Sequence, residues 1–487
     1  MTEYENRRLK QQAWEAAGQC AFAHTFDKQH ALATIVAEYT HITSDTPADT
    51  DVQTAGRVMS RRGHGKAMFL NIHDESGELQ LYINVDRVGA DLFKLYESID
   101  IGDIVGLSGT MFRTRRDALT LNVNSLTLLT KSLAALPEKF HGLQDKETRY
   151  RQRYVDLIMS PDVRSVFTAR SSIVLAMRQY LNRDQFMEVE TPVLQHIYGG
   201  ASAEPFRTHH NHLDQDLYLR IALELHLKRL IVGGYERVFE IGRVFRNEGV
   251  SYKHNPEYTL LELYQAYADY TDMMALTEAL LKHLVVQHTG GTVLTYQDQT
   301  IDFSQSFERL SMLDALAQYA GIENPTRQVL TEALSQHNVS NTGQESWGHL
   351  VGMVYDKIVE PQLVGPIFIT DYPWELSPLA KQHRDNPDLV ERFELIIAGM
   401  EIANAFSELN DPVEQAARFE DQERAREAGD AEAHQTDDDY IQALQYGMPP
   451  TGGLGIGVDR VVMLLTNQTS IRDVLFFPHL KQLNTLD

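Results

Sequence analysis

The sequence changes texture near residue 52, and that change limits the folds open to it more than any other feature. From there to about residue 130 it breaks into short β-like runs: Val52–Met59, Ala67–His73, Glu78–Val85, Ile104–Met111 and Leu119–Leu129. Gly63, Gly65, Gly77, Gly102 and Gly109 punctuate them. Short strands closely spaced by glycine turns predict a small Greek-key barrel of the OB type, assigned to 47–135. Residues 1–46 read as a helical extension that stops before Ser44-Asp45-Thr46-Pro47. A linker is expected over 136–160, and a longer mixed region over 161–487. Within that region Val163–Arg183 and Leu223–Val232 read as helices, the second closed by Gly233-Gly234. Arg237–Arg246 and Tyr258–Ala268 read as an antiparallel hairpin around the turn-rich stretch Asn247–Glu257. Strands and helices do not alternate in a βαβ rhythm, so the fold class is α+β with an antiparallel sheet. The stretch Glu414–Asp439 is highly charged and reads as an exposed helical insertion.

Composition narrows the function classes. The 487 residues suggest two or three domains, and 43% hydrophobic content is ordinary for a globular chain. A single cysteine, Cys20, rules out an internal disulfide and fits a reducing, cytoplasmic setting. No apolar run is long enough to span a membrane, and the acidic N-terminal stretch is unlike a signal peptide. The net charge of −24 opposes indiscriminate nucleic-acid binding. Local basic clusters remain at Arg57, Arg61, Arg62 and Lys66, and at Lys146, Arg149, Arg151 and Arg153. Each is open to two readings, a nucleic-acid contact or a solvated face.

Three constellations carry candidate chemistry. On the second hairpin strand Tyr258, Leu260, Glu262 and Tyr264 share one face by parity, with Arg246, Glu248 and His254 nearby. That face could equally be a wet surface with weak cross-strand pairs. Glu394, Glu401 and Glu408 recur every seven residues around Asn404, with Gly399 suggesting strand and turn rather than helix. Converging carboxylates need a cation, and one or two hard oxygen ligands completed by substrate phosphates suit Mg²⁺. The alternative is three solvated glutamates. Finally, Gly452-Gly453-Leu454-Gly455-Ile456-Gly457 leads into an apolar helix that carries Arg460. It matches neither common phosphate-binding glycine motif, and taken alone is a packing turn or a backbone approach for a nucleotide.

The order of these segments resembles the class II aminoacyl-tRNA synthetases. Phe245-Arg246-Asn247-Glu248-Gly249, His254-Asn255-Pro256-Glu257-Tyr258-Thr259 and Glu262-Leu263-Tyr264 are similar to the family's second motif, in the form of its lysine-specific branch. Gly453–Leu465 resembles the third motif, and Phe186-Met187-Glu188-Val189-Glu190-Thr191-Pro192 the end of the first. Gly199-Gly200-Ala201, Thr208–Asn211, Tyr218–Ile221 and Asn404–Asn410 resemble further lysine-type segments, so the likeness runs from about Gly56 to Pro478.

The resemblance implies an antiparallel catalytic domain, a homodimer, and a two-step reaction. Lysine and ATP give lysyl-adenylate, which is passed to the terminal ribose of tRNA(Lys). It implies catalytic roles for Arg246 and Arg460, and ATP contacts at Arg246, Glu248, His254, Tyr258, Glu401 and Arg460. Lysine contacts are implied at Gly200, Glu224, Arg246, Glu262, Tyr264, Asn404 and Glu408. Mg²⁺ ligands are implied at Glu394 and Glu401, and anticodon contacts at Arg61, Phe69 and Gln80. The sequence departs from the family at Tyr258 (phenylalanine elsewhere), Leu223 (proline in some relatives), Ala403 and Ala405 (glycine in some), and Ser125 (often acidic). Aspartate- or asparagine-specific synthetases, a protein-modifying paralogue lacking the barrel, and a non-catalytic RNA-binding descendant are the rival readings. Glu262 and Glu408 argue against the first pair, the barrel against the second, and Arg246, Glu394, Glu401 and Arg460 against the third.

Overall fold

The structure is a computed structural model and describes residues 1–43, 46–137, 143–341, 343, 345–427 and 435–482. The helix stop expected at Ser44-Asp45, part of the expected linker (138–142) and the middle of the charged insertion (428–434) lie outside the described residues. The chain forms two compact units, Met1–Leu143 and Gln144–Asp487.

In the first unit five strands close a barrel in the order Asp51–His64, Ala67–His73, Glu78–Asn84, Leu119–Thr130, Ile104–Arg113. All its neighbours are antiparallel except Glu78–Asn84 against Leu119–Thr130, the parallel closure of a Greek key. Alternation does the sorting: Met68, Leu70 and Ile72 point inward with Leu79, Leu81 and Ile83, while Phe69 and Tyr82 face out. Gly109 lets two strands close up, since a Cβ there would collide with the Asn122 backbone carbonyl.

The helical extension differs from its expectation. Among its described residues only Glu3–Ala16 and Leu32–Glu38 are helical. Gly18 adopts a left-handed φ of +75°, and the chain then runs along the barrel, where Ala23 N–H donates to Leu129 O at 2.8 Å. Pairing with an exposed barrel strand outweighed helix propensity there. The first helix buries Arg7, Gln11 and Trp14, one face by spacing. It is anchored by a charge cluster. The fully buried Lys131 bridges Asp100 and Asp103 at 2.7 Å each, and Lys10 reaches Asp100 at 2.5 Å.

The second unit centres on an eight-stranded sheet in the order Glu308–Ser311, Ile367–Pro373, Leu389–Ile397, Met400–Ser407, Thr451–Gly457, Glu257–Ala266, Arg237–Phe245, Met187–Glu188. The central pairings are antiparallel, and only the two outermost are parallel. Leu261, Leu263, Phe393, Leu395, Leu454 and Ile456 pack one face against helices Pro161–Arg183, Tyr270–Thr289 and Val458–Leu465. The opposite face packs Val238, Val244 and Ala266 against helix Glu224–Val232 and Ile369, Val390 and Ile396 against helices Met312–Ala320 and Trp347–Val354, with the polar side chains between these two clusters.

Two surface readings change. The stretch expected as a linker holds helices Lys146–Arg151 and Arg153–Met159. Its basic cluster is largely neutralised: Arg149 and Arg153 pair with the buried Asp156, and Arg151 with Glu147. The charged insertion begins as helix Pro412–Glu427, yet Gln415, Arg418 and Phe419 are buried, with Arg418 donating to the carbonyls of Ser377 and Ala380. Charge alone disguised an inward face.

Replacing Lys131 with methionine leaves Asp103 buried without a counter-charge, which costs about 3–5 kcal/mol. Trp14 fluorescence, read in a chain with Trp347 and Trp374 changed to phenylalanine, should show a much lower denaturant midpoint. An unchanged midpoint would mean the cluster is dispensable to the first unit.

Candidate active site

The hairpin pairs Val238 with Tyr264, Glu240 with Glu262, Gly242 with Leu260 and Val244 with Tyr258, so the expected face exists. It forms a wall of a cavity of about 710 Å³. Neighbouring strands supply the rest of the wall. Glu394 lies on Leu389–Ile397, a turn at Ala398-Gly399 follows, and Glu401 and Asn404 lie on Met400–Ser407, with Glu408 just beyond. The glycine-rich stretch is neither a loop nor a turn. It is the central strand Thr451–Gly457, and its missing side chains make room for those of its neighbours. A Cβ on Gly453 would collide with Glu408 Oε1 and the Tyr264 ring. Every lysine, ATP and Mg²⁺ contact implied by the resemblance lines this cavity: Gly200, Glu224, Arg246, Glu248, His254, Tyr258, Glu262, Tyr264, Glu394, Glu401, Asn404, Glu408 and Arg460.

One end of the cavity is deeply buried and acidic. Glu224 and Glu262 are each 5% exposed, and Glu408 1%. Glu262 Oε1 accepts from Leu223 N–H at 3.2 Å, and Oε2 from Tyr264 Oη–H at 3.3 Å. The Leu223 departure therefore has a consequence, because a proline at that position has no N–H to donate. Burial and then the Glu224 charge push the Glu262 carboxyl up to about 8. Burial also pushes Glu408 up to about 8, against the pull of Lys228, with Glu224 and Glu262 adding to the rise. Such carboxyls take up protons near neutrality unless cations arrive. Gly200, at φ +86°, approaches closely here, since a Cβ would meet those of Ala222 and Glu224 at 3.0 and 3.1 Å.

The other end mixes charges. Arg392 pairs with Glu394 at 2.5 Å, donates through Nε to Asn404 at 3.2 Å and stacks 4.4 Å from the Tyr372 ring centre. Arg460 pairs with Glu401 at 3.0 Å. The Arg246 guanidinium lies 5.5 Å from the Tyr258 ring centre. His254 is hydrogen-bonded to Ser251 at 3.0 Å, and burial with Arg460 lowers its pKa. Glu248 stands exposed at the mouth. Burial and the facing Glu401 raise Glu394 to about 7. Among the described residues no group of three His, Cys, Asp or Glu side chains is arranged to hold an ion by itself. Two mutually repelling carboxylates suit a cation whose remaining ligands are substrate oxygens. The added methyls at Ala403 and Ala405 both pack into the core, and only Ala403 also touches the cavity.

On the barrel, Phe69 is half-buried and faces outward, 5.0 Å from the Tyr82 ring; Tyr82 in turn lies 5.8 Å from Phe112. The register places Arg62 opposite Phe69, whereas Arg61 lies opposite the inward Leu70 and donates to Ile99 O at 3.1 Å. One residue of register separates the two faces. Gln80 lies on the outer face and accepts from Thr120 Oγ1 at 3.0 Å. Ser125 is hydrogen-bonded to Ser108 at 2.8 Å.

Sequence reasoning missed Arg392, Tyr82, Phe112 and Lys228. Arg392 shares strand parity with Glu394, and Tyr82 with Gln80, so period-two counting could have found both. Lys228 follows Glu224 by four residues, a spacing that usually marks an exposed helical pair.

A family model described as "tRNA synthetases class II (D, K and N)" matches residues 145–481, and one described as "OB-fold nucleic acid binding domain" matches 52–129. A lysine–tRNA ligase of Pelotomaculum thermopropionicum is 54% identical, covering 88% of this chain and 86% of its own length. One of Oceanobacillus iheyensis is 50% identical over 94% of each. One of Bacillus subtilis is 48% identical over 98% of this chain and 96% of its own.

Proposed function

We infer the working of this site from one premise: the chain belongs to the class II tRNA synthetases, in their lysine–tRNA ligase branch. Its activity is ATP-dependent ligation of lysine to tRNA. The observation that carries the substrate choice is the buried acidic end of the cavity, with Glu224, Glu262 and Glu408 at most 5% exposed. An ammonium cannot be buried without anionic partners. Aspartate and asparagine, handled by the same broad family, would need a cationic or amide-binding end instead.

Glu262, Tyr264 and Glu408 receive the ε-ammonium, and Gly200, Glu224 and Asn404 the α end. Arg246 holds the lysine carboxylate against the α-phosphate, with Tyr258 stacked on adenine and Glu248 and His254 contacting the nucleotide. Arg460 lies at the triphosphate end. The lysine carboxylate attacks the α-phosphorus and pyrophosphate leaves, so no enzyme nucleophile is needed. Catalysis is alignment plus stabilisation of developing phosphate charge by fixed guanidinium groups. Glu394 and Glu401 would hold Mg²⁺, which when bound neutralises phosphate charge. Their placement facing one cavity and the raised Glu394 carboxyl support this.

Residues 47–135 serve the anticodon and 161–487 the chemistry, with 1–46 as an extension and the helices at 146–159 part of the second unit. The outward aromatics Phe69, Tyr82 and Phe112 suit single-stranded bases, with Gln80 and either Arg61 or Arg62 beside them. The register favours Arg62. The enzyme acts in the cytoplasm, which its lone exposed Cys20 fits. No helix among the described residues is long and apolar enough to cross a membrane. A homodimer is supported by exposed Met187, Val193, Leu194 and Ile197 beside a two-residue edge strand.

Four outcomes are expected. Glu262→Gln should raise the lysine KM in pyrophosphate exchange about 30-fold or more, while the ATP KM stays within about threefold; an unchanged lysine KM would overturn the pocket. In the wild type the lysine KM should fall about tenfold per pH unit up to about pH 8 and then level, because protonated carboxyls must ionise before accepting ammonium. A flat profile from pH 6 to 8 would contradict it. Phe69→Ala should cut tRNA charging about 5- to 100-fold yet spare exchange, given the worth of one base stack; equal losses in both would refute the division of labour. Light scattering at micromolar concentration should report two copies, and a monomer would remove the dimer from this account.

A further inference from the structure

We propose that Lys228 is a specificity-determining positioning residue, a resident ammonium that ties Glu224 to Glu408 and sets the charge of the amine-binding end for a diamine. The inference rests on the assignment of this cavity to lysine.

Lys228 lies on helix Glu224–Val232, one turn beyond Glu224, and is fully buried. Its Nζ contacts Glu224 Oε1 on its own helix and Glu408 Oε2 beyond a sheet strand. It also lies 5.9 Å from the centre of the Tyr264 ring. Glu224, Glu408 and Tyr264 line the cavity, so the lysine sits behind the wall and holds its anions from the rear. Burial pulls its pKa down, but Glu224 and Glu408 outweigh that and keep it well above the ordinary lysine value. Lys228 is therefore cationic at every working pH.

A purely structural ion pair needs one carboxylate. Here three crowd together, and one ammonium leaves two negative charges unbalanced. Lysine brings two ammoniums, at its α and ε ends, and Arg246 remains for its carboxylate. Lys228 and the substrate together neutralise the three glutamates. Geometry agrees with the count. Neither buried Glu408 oxygen has a hydrogen-bond partner; Oε2 is ion-paired with Lys228, and Oε1 has no ion pair. Because Lys228 joins the α-end and ε-end carboxylates, it also fixes their separation, and so the length of diamine that spans them.

The test begins with lysine-dependent pyrophosphate exchange by the wild-type enzyme. Its absence would sink the functional reading itself and leave Lys228 moot. With exchange established, Lys228→Met should raise the lysine KM about tenfold or more with kcat changed less than about threefold. The lysine-over-ornithine ratio of kcat/KM should also fall about fivefold or more, and the pH profile should move upward as the untied carboxylates take up a proton. A merely structural role would lower active enzyme and leave the substrate ratio and pH profile where they were; that result would overturn the proposal. If the variant does not fold, the wild type decides. 1,5-Diaminopentane should compete with lysine at least about tenfold better than 1-aminopentane. Equal competition would refute a cavity end matched to two positive charges.

Discussion

Three carboxylates packed into one almost fully buried corner are the constraint around which the catalytic unit is built. Like charges at such burial cannot all ionise without compensation. The protein supplies part of it: the Lys228 ammonium, the Leu223 amide and the Tyr264 hydroxyl. The remainder is uncompensated within the protein, and a desolvated site of this kind selects a cation over a neutral isostere. The glycine strand Thr451–Gly457 serves the same end, since side chains at Gly453 would occupy the space that Glu408 and Tyr264 fill.

A second economy follows from strand parity. Leu261 and Leu263 face the helical layer while Glu262 and Tyr264 face the cavity, and Leu395 and Glu394 divide in the same way. The core thus fixes the polar face through shared backbones. At the other end of the cavity each glutamate already has an arginine, Arg392 on Glu394 and Arg460 on Glu401. Cationic groups held in place before substrate arrives need little reorganisation when phosphate charge develops. A further buried pair, Arg220 on Glu240 at 2.6 Å, braces the hairpin from the same face.

Much of this was legible. The hairpin, its polar parity, the strand–turn–strand reading around Gly399 and the barrel strands all follow from period-two patterns and turn residues, which are local signals. What misled was also local. Residues 17–31 lost their helix to pairing along the barrel, and the glycine-rich stretch read as a turn because it lacks the side chains that mark strands. The basic run at 146–153 looked solvated because its partners Asp156 and Glu147 are only identified as partners once the helices turn.

The family, the order of its motifs and the chemical kind of nearly every cavity residue are written in the linear chain, because motif spacing and side-chain identity are one-dimensional. Which charges meet depends on how the chain packs. Glu224, Glu262 and Glu408 come from a helix, a strand and a strand end far apart in the chain, and their convergence on one cavity end, with Lys228 pairing Glu224 and Glu408, is a property of packing. The same holds for Arg62 rather than Arg61 beside Phe69, where a single step of register, set across two strands, selects the face.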